Sequence, residues 1–163
     1  MPEDVQERFR EVMAHVATPV SVVTGLSDGG SPYGSTVSAF SSLSLRPPMV
    51  LVSLIKASRL LAVIRETGRF GLNVLGSSHS ALARTFATSR TPEEKFAGVE
   101  WGVDHGVPRF AGALGWLACS VEQEVEGGDH IVVLGSVLAV SGWAGEPLTY
   151  HRRSFGTHVT LDR

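Results

Sequence analysis

The stretch GSTVSAFSSLSLRPP, Gly34 to Pro48, sets the hydroxyls of Ser35, Thr36, Ser38, Ser41, Ser42 and Ser44 among Val37, Ala39, Phe40, Leu43 and Leu45, with no charge before Arg46. Two readings compete. Serines in a connecting loop commonly bond their own backbone in local turns. A solvated loop, however, has no use for the interleaved apolar side chains. Neutral donors mixed with apolar groups suit a flat, partly apolar ligand with one polar edge, because backbone N–H groups and hydroxyls match such an edge without burying an unpaired charge. Pro47-Pro48 then predicts an extended exit into the next strand.

Bulk properties narrow the partners. A chain of 163 residues suits a single domain over 1–163. With 43% hydrophobic and 18% charged residues, a packed core is expected rather than disorder. A net charge of −2 argues against electrostatic capture of nucleic acid. No apolar run approaches the roughly 20 residues that span a bilayer, and the start, MPEDVQERFREV, is too charged for a secretory leader. Cys119 is the only cysteine, which excludes an intrachain disulfide and fits a reducing cytoplasm. Its setting, GWLACSV, predicts a buried, inert thiol. The histidines show no close metal-ligand spacing, so no metal site is expected. Neither a Rossmann glycine fingerprint nor a phosphate-binding P-loop is present.

Along the chain, Val5, Phe9, Val12, Met13 and Val16 recur every three or four residues opposite Glu3, Glu7, Arg8, Arg10 and Glu11. That spacing predicts an amphipathic helix over about 3–16, packing on the domain and ended before Pro19. Val20–Leu26 reads as a strand entering a hairpin at SDGG, and Met49–Ile55 as a strand apolar enough to be buried on both faces. SRLLAVIRETG reads as a helix capped by Ser58 and terminated by Gly68. RFGLNVL is a further strand, SSHSALARTFA a short helix capped by Ser77 or Ser78, and TSRTPEEKFAG a polar loop. Two long β-rich runs, Ala113–Glu126 and His130–Trp143, meet at Gly127-Gly128, a composition suited to a tight turn. Strands adjoin strands more often than they alternate with helices. The fold class is therefore mainly β, a closed or partly closed antiparallel barrel with a few flanking helices.

Three further segments carry polar chemistry. Ser58 at a helix start, with Lys56 and Arg59 beside it, suits a phosphate or is an ordinary capped surface helix. Asp129-His130 opens a strand after the turn; the histidine is either structural or points into a cleft to orient a second ligand. YHRRSFG combines Tyr150, Arg152, Arg153 and Phe155, either a solvated basic cluster or a cover over an anionic, aromatic dinucleotide. GLSDG (Gly25–Gly29) matches the serine hydrolase elbow literally. That elbow needs a strand running into a helix, and GSPYGSTV cannot open one, so a hairpin turn explains the glycines better. For the hydroxyl-rich stretch, an isoalloxazine is a ligand of the required kind, flat, apolar at one end and edged with acceptors and an N–H at the other.

Taken in order, TPVSVVT, GSTVSAFSSLSLRPPMVLVSL, FGLNVL, Phe86-Ala87, EKFAGVEW, GDH and YHRRSFG resemble the flavin reductase-like family, the FMN-binding split-barrel proteins, over about Phe9 to Gly156. Many of these are reductase partners of two-component flavin monooxygenases. The resemblance implies a Greek-key split barrel, a homodimer with two flavin sites near its interface, and a partner monooxygenase. It implies flavin contacts at Thr36, Val37, Ser38, Ala39 and Ser42, and ribityl and phosphate contacts at Ser53, Leu54, Ser58 and Arg59 and near Phe86 and Ala87. His130 would lie where nicotinamide stacks on flavin, and Tyr150, Arg152, Arg153 and Phe155 would help hold the dinucleotide. Phe155 stands where many relatives carry tyrosine, which keeps a ring and loses a hydroxyl.

The expected activity is an NAD(P)H:flavin oxidoreductase, with FMN or FAD as flavin and NADH or NADPH as reductant. Because the ligands carry the redox chemistry, no acid–base dyad is required. His130 is expected to orient nicotinamide rather than transfer a proton. The alternative is a split-barrel protein that binds flavin without turning it over.

Overall fold

The structure is a computed structural model that describes residues 3–162. Helix α1 (Glu3–Met13) leads to a short strand β1 (Thr18–Pro19) and then to β2 (Ser21–Leu26) and β3 (Pro32–Val37), a hairpin closed by the SDGG turn. Within that turn the Ser31 N–H donates to Ser27 Oγ at 3.0 Å, so the serine of GLSDG is a turn residue. β4 (Phe40–Leu45) and β5 (Pro48–Ile55) form the next hairpin. The expected extended exit at Pro47-Pro48 is instead a tight turn through a cis Arg46–Pro47 bond, with Leu45 paired to Pro48.

α2 (Arg59–Thr67) begins as expected. Ser58 Oγ accepts the Leu61 N–H, and Gly68, at φ 70°, adopts the left-handed conformation that ends helices and suits a residue without Cβ. β6 (Arg69–Val74) follows. Neither Ser77 nor Ser78 caps the next helix. Those residues form a 3-10 turn, Ser77–His79, before α3 (Ser80–Phe86), and the Gly76 N–H donates to His79 Nδ1 at 3.0 Å. TSRTPEEKFAG is not all loop. Thr91 Oγ1 accepts the Glu94 N–H while the Glu94 carboxylate accepts the Thr91 N–H, a capping box that starts α4 (Pro92–Phe96) with proline in its first turn.

β7 (Trp101–Asp104) and β8 (Val107–Phe110) form a small hairpin that the sequence reading missed. Buried polar groups fasten it: Thr24 Oγ1 donates to the Pro108 carbonyl at 2.8 Å, and Asn73 Oδ1 accepts the Phe110 N–H at 2.9 Å. The long runs become β9 (Gly115–Gly127) and β10 (His130–Gly142), and β11 (Thr149–His151) with β12 (Ser154–Gly156) close the chain.

One seven-stranded sheet runs β3-β2-β6-β9-β10-β5-β4, antiparallel throughout. Its first and last strands are consecutive in sequence, joined only by Ser38-Ala39. The chain itself therefore brings the two edges together, and the Ser53 N–H donates to the Ala39 carbonyl at 2.9 Å, carrying the β4–β5 ladder one residue into that connection. A barrel shut in this way has one site where backbone hydrogen bonding is incomplete. Every second residue of β5 (Val50, Val52, Leu54) is buried, while Met49, Leu51 and Ser53 are half-buried. The strand thus alternates, correcting the expectation of burial on both faces.

A second core of Phe86, Phe96 and Phe110 packs beneath β3, with the Phe86 and Phe96 rings edge-to-face at 5.0 Å. A Cβ at Gly34 would sit 2.7 Å from Cε1 and 2.9 Å from Cδ1 of Phe86. That ring is fully buried and cannot swing aside. Gly34→Ala should therefore destabilise the protein by about 1–3 kcal/mol, as overpacked cores do, read as a lower urea midpoint at unchanged slope.

The apolar stripe of α1 does not pack on this chain's own barrel. Phe9 is 63% and Val12 64% exposed, with Val5, Met13 and Val16 also exposed. What ties α1's end to the body is the Arg152 N–H donating to the Ala14 carbonyl at 2.9 Å.

Candidate functional site

The seam is also where the clefts converge. After β3, whose last carbonyl (Val37) accepts from Ser21 Oγ at 2.9 Å, the chain bends at Ser38-Ala39. The bend, the end of β5 and the first residue of β10 enclose a slot of about 240 Å³ lined by Ser35 to Ala39, Ser53 to Ile55, Ser58 and His130. Strand register puts them together: His130 pairs with Ile55, and Val132 with Ser53. Among the hydroxyls of the opening stretch, Thr36 donates to the Ala83 carbonyl at 2.6 Å and Ser41 to the Ser42 carbonyl at 3.0 Å. Val37 and Leu54 turn their side chains into the core, which leaves their backbone as what they offer the slot. Ser58 accepts from Leu61 N–H and so keeps its own proton for donation.

His130 Nδ1 lies 2.6 Å from Asp129 Oδ1. That hydrogen bond holds the Asp129 carboxyl below the usual range, so it is ionised at neutral pH and can only accept. The proton therefore sits on Nδ1, and Nε2 is not taken up by the aspartate.

Two larger clefts share walls with the slot. Through Ser35, Ile55 and Ser58 it meets a cavity of about 510 Å³ whose lining carries Arg59, Arg90 and Lys95, the hydroxyls of Tyr33, Thr88, Ser89 and Thr91, and no carboxylate. Through Thr36 and Ser38 it meets a cavity of about 420 Å³ walled by Arg84, Ala87, Tyr150, Arg153 and Phe155. There the Arg84 guanidinium lies 5.0 Å over the Phe155 ring, itself 5.1 Å from the Tyr150 ring. A neutral slot thus lies between a cationic cavity and an aromatic–arginine one. Such a belt suits a flat ring with a phosphate on one side and a second aromatic, anionic ligand on the other.

The structure gathers most residues singled out from sequence around this belt: Thr36, Val37, Ser38, Ala39, Ser53, Leu54, Ser58 and His130 at the slot, Arg59 in the cationic cavity, and Ala87, Tyr150, Arg153 and Phe155 in the other. Three lie elsewhere. Ser42 is on the exposed part of β4, outside these cavities. The Phe86 ring is sealed in the second core, so it supports β3 from below. Arg152 lines none of the three and is the residue that bonds Ala14. Sequence reasoning missed Arg84, Arg90 and Lys95. The signal for the last was the TPEE capping box, which places Lys95 on a helix rather than in a loop.

The buried Cys119 thiol, pushed up to about 12 by burial, lines none of these cavities.

Residues 13–158 match the family described as flavin reductase like domain. The reductase component of a 4-nitrophenol 4-monooxygenase/4-nitrocatechol 2-monooxygenase from Rhodococcus opacus is 42% identical over 151 residues, 93% of this chain and 80% of that protein. A flavin reductase (NADH) from Kitasatospora aureofaciens is 37% identical over 155 residues, 91% of this chain and 80% of that protein. Among solved structures, the NADH:FAD oxidoreductase of Streptomyces globisporus C-1027, in complex with NAD and FAD fragments, superposes with a TM-score of 0.89 at 30% identity, covering 97% of that chain and 99% of this one.

Proposed function

We infer that this chain, which belongs to the flavin reductase-like family, is an NADH-dependent flavin reductase that supplies reduced flavin to a partner monooxygenase. The observation that carries the reading is the belt of three joined clefts, with a neutral, hydroxyl-lined slot at its centre. Those residues fit a flavin: the slot offers backbone groups and uncharged hydroxyls, and the carboxylate-free cavity beside it suits the phosphate of FMN or FAD. When bound, the flavin and NADH supply the redox chemistry between them, a hydride passing from the nicotinamide to the flavin.

The chain's part is to bind, orient and exclude water. Backbone groups and hydroxyls of Thr36 to Ala39 would hold the ring edge, and Ser53, Leu54, Ser58 and Arg59 the ribityl chain and phosphate. Ala87, Tyr150, Arg153 and Phe155 would receive the dinucleotide, its phosphates facing arginines and its rings facing aromatics. His130, fixed by Asp129 at the mouth of the slot, would orient the nicotinamide. The chain is proposed to act as one cytoplasmic domain and as a homodimer. The exposed stripe of α1 supports the latter, because an apolar helix face with nothing of its own chain to cover it suits a second copy.

Purified protein mixed with NADH and either FMN or FAD in air should consume NADH in a flavin-dependent way, followed at the nicotinamide absorbance band. A protein that turns yellow but leaves NADH untouched would be a flavin binder only. In the same assay His130→Ala should lower kcat/KM for NADH by roughly 10- to 100-fold, the usual worth of one positioning contact. Flavin affinity by fluorescence titration should change little. Unaltered steady-state kinetics would remove His130 from the site.

A further inference from the structure

Lys95 is one of only two lysines in the chain. It sits on α4, half-buried, where the Thr91–Glu94 capping box fixes the helix start. Its ammonium donates to the carbonyls of Gly34 and Phe86, each at 3.3 Å. An ammonium has three protons and these acceptors take two. Both acceptors are neutral, and no carboxylate of the described residues lies within ion-pair distance of Nζ. Burial accordingly lowers the Lys95 pKa, with no opposing charge to restore it. The side chain lines the 510 Å³ cavity, which also holds Arg59 and Arg90 and contains no acidic residue.

A partly desolvated cation without a counter-charge, in a wall with two further cations, is arranged for an anion that arrives with the ligand. Resting on the flavin reductase reading, we propose that Lys95 is a phosphate-binding, specificity-determining residue that donates its third N–H to the phosphate of the incoming flavin. Its other two bonds join β3 at Gly34 to the end of α3 at Phe86. Anion capture is thereby linked to the strand that runs directly into Thr36 and Ser38, the wall of the ring slot. This makes the site selective for phosphorylated flavins over riboflavin, which has the same ring and no phosphate.

The competing role is a purely structural staple between β3 and α3. The two are separated by titrating wild type and Lys95→Met with FMN and with riboflavin. Loss of one charge-assisted hydrogen bond should raise the FMN dissociation constant about 10- to 100-fold while riboflavin shifts less than about threefold. Equal weakening of both ligands, or no change for FMN, would overturn the proposal. Should Lys95→Met fail to fold, wild-type protein still decides it. FMN should protect Lys95 from reductive methylation and riboflavin should not, with Lys56 as the internal reference in peptide mass mapping. Equal modification with and without FMN would count against it. A wild type that binds FMN but never oxidises NADH would refute the reductase reading instead, and leave the lysine result intact.

Discussion

Ser38→Trp is expected to reduce NADH-dependent flavin reduction by about 100-fold or more, since misplacement of reacting groups by even an ångström has effects of that order. Ser38 is where the ring slot and the aromatic–arginine cavity meet, and it lines both. It lies in the bend between β3 and β4, outside either strand, and is exposed. An indole there has solvent-side room and displaces no core residue, so the melting temperature should hold while both ligands lose space at their meeting point. The discriminating measurements are flavin titration and NADH turnover on protein whose unfolding midpoint matches wild type. Retained turnover at full stability would mean that the two rings meet elsewhere. Ser42→Trp is the matched control, because Ser42 sits on the exposed part of β4 away from all three clefts. It should cost little.

How far the residues foretold this geometry varied with the kind of signal. β2, β5 and β10 are marked by runs of Val, Leu and Ile, and α2 carries both its start and stop in Ser58 and Gly68. Those signals are local and chemical, and the structure follows them. The curling of one sheet until β3 and β4 meet is not local. The hydroxyl-rich stretch shows that Ser38 and Ala39 are unusual, yet only the β5–β10 register brings Ser53 and His130 to the same place. The family resemblance implies ribityl and phosphate contacts near Phe86 and Ala87. The Phe86 ring faces into Phe96 and Phe110, and it is Ala87, just past the end of α3, that lines the cavity. The caps of α3 and α4 were misread for a simpler reason. Ser77 and Ser78 satisfy a capping pattern equally well, whereas in the structure they lie in a 3-10 turn, and α3 starts after His79 with no side-chain cap. The Thr91–Glu94 box lay inside a segment polar enough to pass as loop.

If the proposed homodimer forms through α1, Phe9→Glu combined with Val12→Glu should leave a monomer of 17.4 kDa in sedimentation equilibrium. Val5, Phe9, Val12 and Met13 lie along one side of α1, and Val16 just beyond it; all are exposed in the single chain. Burying side chains of this size is worth about 1.5–3 kcal/mol each. An ionised carboxylate placed in such a contact costs several kcal/mol more unless it finds a partner, and in a two-fold dimer each substitution counts twice. The consequence should reach the active site. α1 leads into β1, whose Thr18 pairs with Tyr150, and the Ala14 carbonyl holds the Arg152 N–H at 2.9 Å. Tyr150, Arg153 and Phe155 wall the aromatic–arginine cavity proposed for the dinucleotide. Loss of the α1 contact should therefore raise KM for NADH before it affects flavin affinity, whose slot is framed by β3, β5 and β10. A variant that remains dimeric, or a wild type that is monomeric at micromolar concentration, would show that the exposed stripe of α1 serves another surface.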